Sequence, residues 1–450
     1  MYNKCVPLLY LLLYCHTLMA QGLFENTLYE DQKPVESFAN SPLKGYIRGS
    51  AWGGAQRYDY SNVFGEFALQ AKFSGEKSFF SGELRVIEGY FFDEHKSILR
   101  LKEAYGGYTG KKLDLFAGNQ IVSWGRTDGF NPVNNINPVD YFFLTPDPDD
   151  QILSTFMIRS KFRFSFQTEL ETLIIPVYNP SIYRYNLFDM GENAVFNNAV
   201  LPSSKFSNSS FAARIKTELP SIGFSLSWFS GYDPFYGFRT ESIQLFPVTE
   251  ITYQPDFYKK NTIGGDFELP VKKWILRMEA AVNITDNYKN NMHIPNPDLY
   301  YVTGIEHNFR GCMAILQYIG RYTFDFRALE IPVLADPFNQ QSQLQYAEEM
   351  ILYESSLFNR KIFHQQKERN HAFMISLNRS FAYETVRTEL SLYYNITSDE
   401  YIIRPTLSWN ISDDLAAFLG VSLMKGPENS IFDKAGDVLN GLFAGMKYSF

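Results

Sequence analysis

The chain has 450 residues, 45% apolar and 20% charged, with 40 Phe, 30 Tyr, 5 Trp and a formal net charge of −8. Its apolar share excludes a disordered or collagen-like chain. The acidic balance has no basic block long enough to track a phosphate backbone, so nucleic acid is not an expected partner.

Residues 1–20 carry Lys4, an apolar run from Pro7 to Tyr14 and the close Leu18-Met19-Ala20 before Gln21, the three parts of a secretory signal. Cleavage is expected after Ala20. Lipidation of Cys15 is the alternative, but Tyr14 before it is too large for the usual small-residue context. Cleavage removes Cys5 and Cys15 and leaves Cys312, so no internal disulfide is expected and Cys312 reads as a small apolar residue. Residues 21–43 are expected to form a periplasmic N-terminal segment and 44–450 one folded unit. After residue 20 no run approaches the roughly 18 apolar residues of a spanning helix.

From there the pattern has a period of two. Gly65, Phe67, Leu69, Ala71 and Phe73 alternate with Glu66, Gln70 and Lys72, and the same alternation marks 274–284 and 386–394. Strands are predicted near 44–54, 64–74, 78–91, 98–108, 113–123, 154–164, 167–177, 209–218, 222–230, 260–269, 274–284, 300–309, 312–322, 371–380, 384–396, 400–411, 415–424 and 439–450. Many are about ten residues long, enough to cross a hydrocarbon layer when tilted. Short turns such as 74–77, 109–112 and 270–272 alternate with long connections near 124–153, 178–208, 231–258, 285–299, 323–370 and 425–437. A soluble sandwich has no reason for that asymmetry, whereas a transmembrane barrel has short turns on one side and long loops on the other. The expected fold is therefore an all-β, antiparallel up-and-down barrel of about eighteen strands, with sixteen or twenty as alternatives and Tyr and Trp forming girdles at the lipid boundaries. Segment 242–253 is read as a hairpin in an outer loop. Residues 340–358 have a helical cast, as a pore plug or an outside cap.

The run Gly118-Asn119-Gln120-Ile121-Val122-Ser123-Trp124-Gly125-Arg126 is followed by Asn131-Pro132-Val133 and Asn137-Pro138-Val139-Asp140. These residues resemble the shared core of a little-characterised family of porin-like outer-membrane barrels of Gram-negative bacteria: glycine-glutamine, tryptophan-glycine, then asparagine-proline-valine-aspartate. The doubled Asn-Pro-Val and the long 323–370 connection depart from it. The resemblance implies an outer-membrane channel for a small or hydrophobic compound, with the cargo unassigned. Pro132 and Pro138 lack a backbone donor and hold their Asn neighbours extended. The stiff segment they make is either a constriction in the pore, with Trp124, Arg126, Asn137 and Asp140 as its candidate residues, or a rigid outside turn. Asp147, Asp149 and Asp150 match no complete calcium loop and read as a solvated acidic turn.

Taking the polar set of each strand as the lumen face, the bases are Lys72, Arg85, Arg100, Lys102, Arg163, Arg214, Lys216, Arg277, Arg387, Arg404 and Lys447. The acids are Glu66, Glu83, Asp114, Glu169, Glu171, Glu218, Asp266, Glu268, Glu279, Glu306 and Glu389. This balance implies cross-strand ion pairs and no marked selectivity. The final alternation, with Gly445, Tyr448 and Phe450 in place, resembles the signal read by the bacterial barrel-assembly machinery. No His-Glu-x-x-His, paired-cysteine spacing or phosphate-cradling Gly loop occurs, so neither a metal, a cofactor nor an enzyme is expected. His307 would be the candidate of a barrel-embedded hydrolase. A barrel serving only to anchor loops 178–208 and 323–370 for adhesion is the other alternative to a channel.

Overall fold

The computed structural model describes residues 43–145, 147–187 and 193–450. The expected signal segment with Cys15 and cleavage after Ala20, and residues 21–42, lie outside the described residues. The wall begins with β1 (Leu43–Gly53), β2 (Tyr60–Ser74), β3 (Ser78–Phe91), β4 (Glu94–Thr109), β5 (Leu113–Gln120), β6 (Thr155–Arg163) and β7 (Thr168–Ile175). A short β8 (Ala194–Phe196) leaves it, and β9 (Ser210–Leu219) and β10 (Ile222–Tyr232) return to it. The hairpin of β11 (Gly237–Gln244) and β12 (Glu250–Asp256) stands apart with β8, which pairs parallel to β12. The wall continues through β13 (Lys259–Val271), β14 (Trp274–Thr285), β15 (Asp298–Phe309), β16 (Cys312–Thr323), β17 (Arg369–Phe381), β18 (Val386–Asn395), β19 (Glu400–Asn410), β20 (Leu415–Lys425) and β21 (Gly441–Ser449).

Eighteen strands thus form one antiparallel sheet, closed where β1 pairs with β2 on one side and with β21 on the other. Closure leaves no free edge of unpaired N–H and C=O groups. Each predicted strand has its counterpart. The largest differences are that β2 and β4 each start four residues earlier than expected and that β5 ends at Gln120 rather than at residue 123.

Alternation sorts side chains between two environments. On β2, Phe64, Glu66 and Ala68 are buried inward, while Phe67, Leu69 and Phe73 are exposed on the outer surface. Ile47, Val86, Leu99, Ile158, Leu226, Ile263 and Leu419 continue that apolar exterior around the cylinder. So broad an apolar band is unfavourable in water and is matched by hydrocarbon. Aromatic groups mark its borders. At the short-turn rim His307 stacks on Trp274 at 4.2 Å and meets Phe309; at the long-loop rim Tyr318 hydrogen-bonds His371 Nδ1 at 2.6 Å.

The long connections pack together above the wall. Helix α1 (Gln340–Ile362) extends four residues beyond the helical stretch expected, and its start is capped by Asn339 Oδ1, which accepts the Gln341 N–H at 2.8 Å. Its second half buries Ser355, Phe358, Asn359 and Ile362. Asn359 fixes it to β11 by accepting from Phe238 N at 2.8 Å and donating to Phe238 O at 2.7 Å. The helix is thus part of an outside cap built on the β11–β12 hairpin, which spans 237–256 rather than 242–253. A second helix, α2 (Ile431–Leu439), lies where only a loop was expected; its end accepts a bond from Trp52 Nε1 at Leu439 O, 3.1 Å away.

Candidate functional site: an inward loop dividing the lumen

At Gln120 the chain leaves the wall and folds into the barrel, returning only at Thr155. Asn137 ties the base of this loop together. Its Oδ1 accepts Val122 N–H at 2.7 Å, and its Nδ2 donates to Gln120 O at 3.0 Å and to Leu153 O at 2.9 Å. Ile121 N–H goes to Glu103 Oε1 at 2.8 Å. Backbone groups that would have continued β5 are satisfied by these side chains instead, as buried polar groups must be.

The first lobe lies against β6 to β14. Trp124 is 1% exposed, donates from Nε1 to Glu171 Oε2 at 2.9 Å and has the Arg214 guanidinium 5.2 Å from its ring centre. Val122, Val133 and Ile136 join it in packing against Met157, Leu173, Ala212, Phe229 and Ala281 of the wall. Arg126 reaches two carboxylates, Asp266 at 2.6 Å and Glu218 at 2.5 Å. The backbone N–H groups of Arg126 and Thr127 both donate to Glu279 Oε1, which requires close approach at Gly125. That residue has φ +109°, and a Cβ there would sit 2.6 Å from the carboxylate oxygen.

The second lobe lies on β1 to β4. Asp140 accepts from Arg100 at 3.1 Å, and Arg100 in turn lies 4.1 Å over the Phe143 ring. Burial holds the Asp140 carboxyl above its ordinary range, against the opposing pull of Arg100 and two backbone amides. Asp150 divides its oxygens between Arg48 at 2.5 Å and Arg85 at 2.6 Å, while Lys102 Nζ donates to Asp149 O and Ile152 O. Burial would raise Asp150, but the two guanidinium groups outweigh it and bring it down to about 2. The 147–150 turn is therefore not simply solvated: Asp150 is a buried anchor, and its charge is spent on arginines. Phe142, Phe143 and Leu144 extend this lobe into an aromatic core with Phe64, Phe91, Tyr185, Phe238 and Phe358 under the outer cap.

Both lobes also make contacts at the margins of the arc they cover and beyond it. Asp128 approaches Arg277 at 3.3 Å, Phe130 stacks on Tyr393 at 5.1 Å, and Arg404 donates to Thr145 O at 2.8 Å. The inward faces of β1 to β14 are largely buried beneath the loop, whereas Ser376, Asn378, Ser391 and Thr406 on β17 to β19 are only half-buried. The lumen is thus filled on one arc and solvated on the other.

Trp124, Arg126, Asn137 and Asp140 fall in one loop inside the barrel, but with different surroundings: Trp124 and Asn137 hold the loop, Arg126 and Asp140 bind wall charges. Of the lumen charges, Arg85, Arg163, Arg214 and Arg277 lie in ion pairs, the last with Glu268 at 2.7 Å and Glu306 at 2.5 Å. Lys72 and Lys447 lie on inward positions of β2 and β21, and Arg387 faces Glu389 at 4.0 Å near the short-turn rim. Glu279 accepts backbone donors instead of pairing with a base. Sequence reasoning missed Arg48, Arg159, Lys161, Lys260 and Arg321, all on inward positions, and Arg48 was legible from the alternation Tyr46-Arg48-Ser50-Trp52. His307 belongs to the aromatic rim, with Nδ1 at Lys273 O, 2.8 Å away.

Similarity to known proteins agrees with this architecture. A family described as "Protein of unknown function (DUF1302)" matches residues 44–187, the stretch holding β1 to β7 and the whole inward loop. No curated protein matches the chain. Among solved structures, the chain is similar to OccAB3 of Acinetobacter baumannii, with TM-score 0.51 and 10% identity over 91% of this chain and 98% of that one. It is similar to OccD3 (OpdP) of Pseudomonas aeruginosa, with TM-score 0.52 and 10% identity over 91% of each. The figures for OccK3 (OpdO) of Pseudomonas aeruginosa are 0.50 and 11%, over 91% of this chain and 95% of that one. At such identities the likeness is one of fold.

Proposed function

We propose that the chain is a passive outer-membrane channel for small compounds, narrowed by the inward loop. The observation that carries this reading is the one-sided filling of the lumen. Barrels of about 16–18 strands enclose more space than wall side chains fill, and here the loop occupies the β1 to β14 arc while the polar wall of β17 to β19 stays solvated. The apolar exterior supports placement in lipid. Movement is passive because the outer membrane offers no nucleotide to drive it.

Planar-bilayer recording tests this. The purified protein is expected to give discrete conductance steps, and replacing residues 127–131 by two glycines is expected to enlarge them by roughly twofold or more as the wall is cleared. Silence in both proteins, or conductance in the shortened variant alone, overturns the reading of a resting channel.

A further inference from the structure

We propose that the narrow place between the loop tip and β15 to β18 selects cations that carry N–H donors on an apolar body, such as small organic ammonium compounds; this rests on the channel reading above. Three observations meet there. The first is charge. Arg277 is 3% exposed and enclosed by Asp128, Glu268 and Glu306, one guanidinium against three carboxylates. Asp128 keeps 42% of its side chain exposed and feels Glu389 across the gap, itself 39% exposed. The bases that face Glu389 are Arg387, one inward position nearer the opposite rim, and Arg404, which also donates to Thr145 O and lies over the rings of Trp52 and Phe443, so the excess of negative charge sits on the Asp128, Glu268 and Glu306 side of the gap.

The second observation is an acceptor without a donor. Gln317 is 1% exposed on the inward face of β16, and among the described residues its Oε1 has no hydrogen-bond partner. It stands opposite Gly304 on β15, which adds no side chain, and opposite Met374 on β17, the residue on which Gly129 of the loop tip rests. A buried carbonyl oxygen gains by accepting a hydrogen bond, and an N–H of a cation lodged beneath the loop tip would supply it. The third is the stacked pair Phe130 and Tyr393, whose rings lie 5.1 Å apart and 24° from parallel. Aromatic faces attract cations and cover apolar groups. Carboxylates, an unpaired buried acceptor and aromatic rings together suit an alkyl- or arylammonium ion and repel a carboxylate.

The test uses the full-length protein in planar bilayers with benzylammonium and benzoate as probes. Under a KCl gradient the reversal potential is expected to show preference for K⁺, by roughly threefold or more for uncompensated charges at this range. Benzylammonium is expected to reduce the current at concentrations about tenfold below those needed for benzoate. The double variant Asp128→Asn with Glu389→Gln alters two partly exposed side chains and is expected to lose both preferences. Gln317→Leu is expected to weaken block by benzylammonium and leave the K⁺ preference in place. Equal block by the two probes, or stronger block by benzoate, overturns the proposal and leaves the channel standing; absent conductance overturns the channel itself.

Discussion

Asn137 and Asp150 hold the two ends of the inward loop by different physics. Asn137 replaces lost strand hydrogen bonds with three of its own, whereas Asp150 is a buried charge kept ionised by Arg48 and Arg85. Asp150→Ala leaves two buried guanidinium groups sharing Glu66 and Glu83, a loss on the order of 3 kcal/mol. Its expected readout is a noisier and larger single-channel current and new proteolysis within 140–152. The pH dependence has a definite sign. The folded Asp150 sits at about 2, below its ordinary 3.8, so its contribution is complete above about pH 4 and is lost as pH falls toward 2. Current recorded between pH 5 and pH 2 is expected to rise over that lower window in the native protein and to change less in Asp150→Asn.

The elements divide into those whose form is dictated locally and those set by distant partners. Strands facing lipid on one side and water on the other carry a strict period of two, because either environment rejects the wrong residue; that is why the eighteen segments were legible from alternation. The end of β5 was not. Val122 and Trp124 continue the apolar pattern of a strand, but residues from elsewhere in the chain hold this stretch off the wall: Glu103 takes the Ile121 amide, Asn137 the Val122 amide, Glu171 the Trp124 ring N–H, and Glu279 the amides of Arg126 and Thr127. The doubled Asn-Pro-Val resolves likewise: Val133 packs into the space left by Gly264, while Asn137 staples the base. Helix α2 was missed because its nine residues are shorter than a helical pattern can declare, although Ser430 marks its start by accepting from Asp433 N–H. Of the candidate site, the residue types and the loop were readable, but not the arc on which the loop lies. Trp124→Ala is expected to release the first lobe at a cost of about 3–5 kcal/mol, seen as loss of protection of loop amides in hydrogen exchange with the wall amides unchanged.

At the scale of the molecule, the seam between β1 and β21 decides whether there is a cylinder at all. Gly45 and Phe450 exchange backbone hydrogen bonds at 2.9 Å in both directions, and the Phe450 ring occupies the space a Cβ on Gly45 would need. Gly445 gives way likewise to the ring of Phe418, while Tyr448 and Phe450 face outward, 49% and 53% exposed. Phe450→Ala is expected to slow insertion in cells, measured as a smaller share of protein showing the folded, heat-modifiable band.

The anchors of the inward loop also prescribe a sequence of events. Arg126 meets Asp266 from 140 residues away, and Thr145 is met by Arg404 from 259, so neither lobe has its full set of partners until the late strands are in place. A sheet that still lacks β13 to β21 therefore holds neither lobe in full, and the furnishing of the interior is tied to the step that seals the wall.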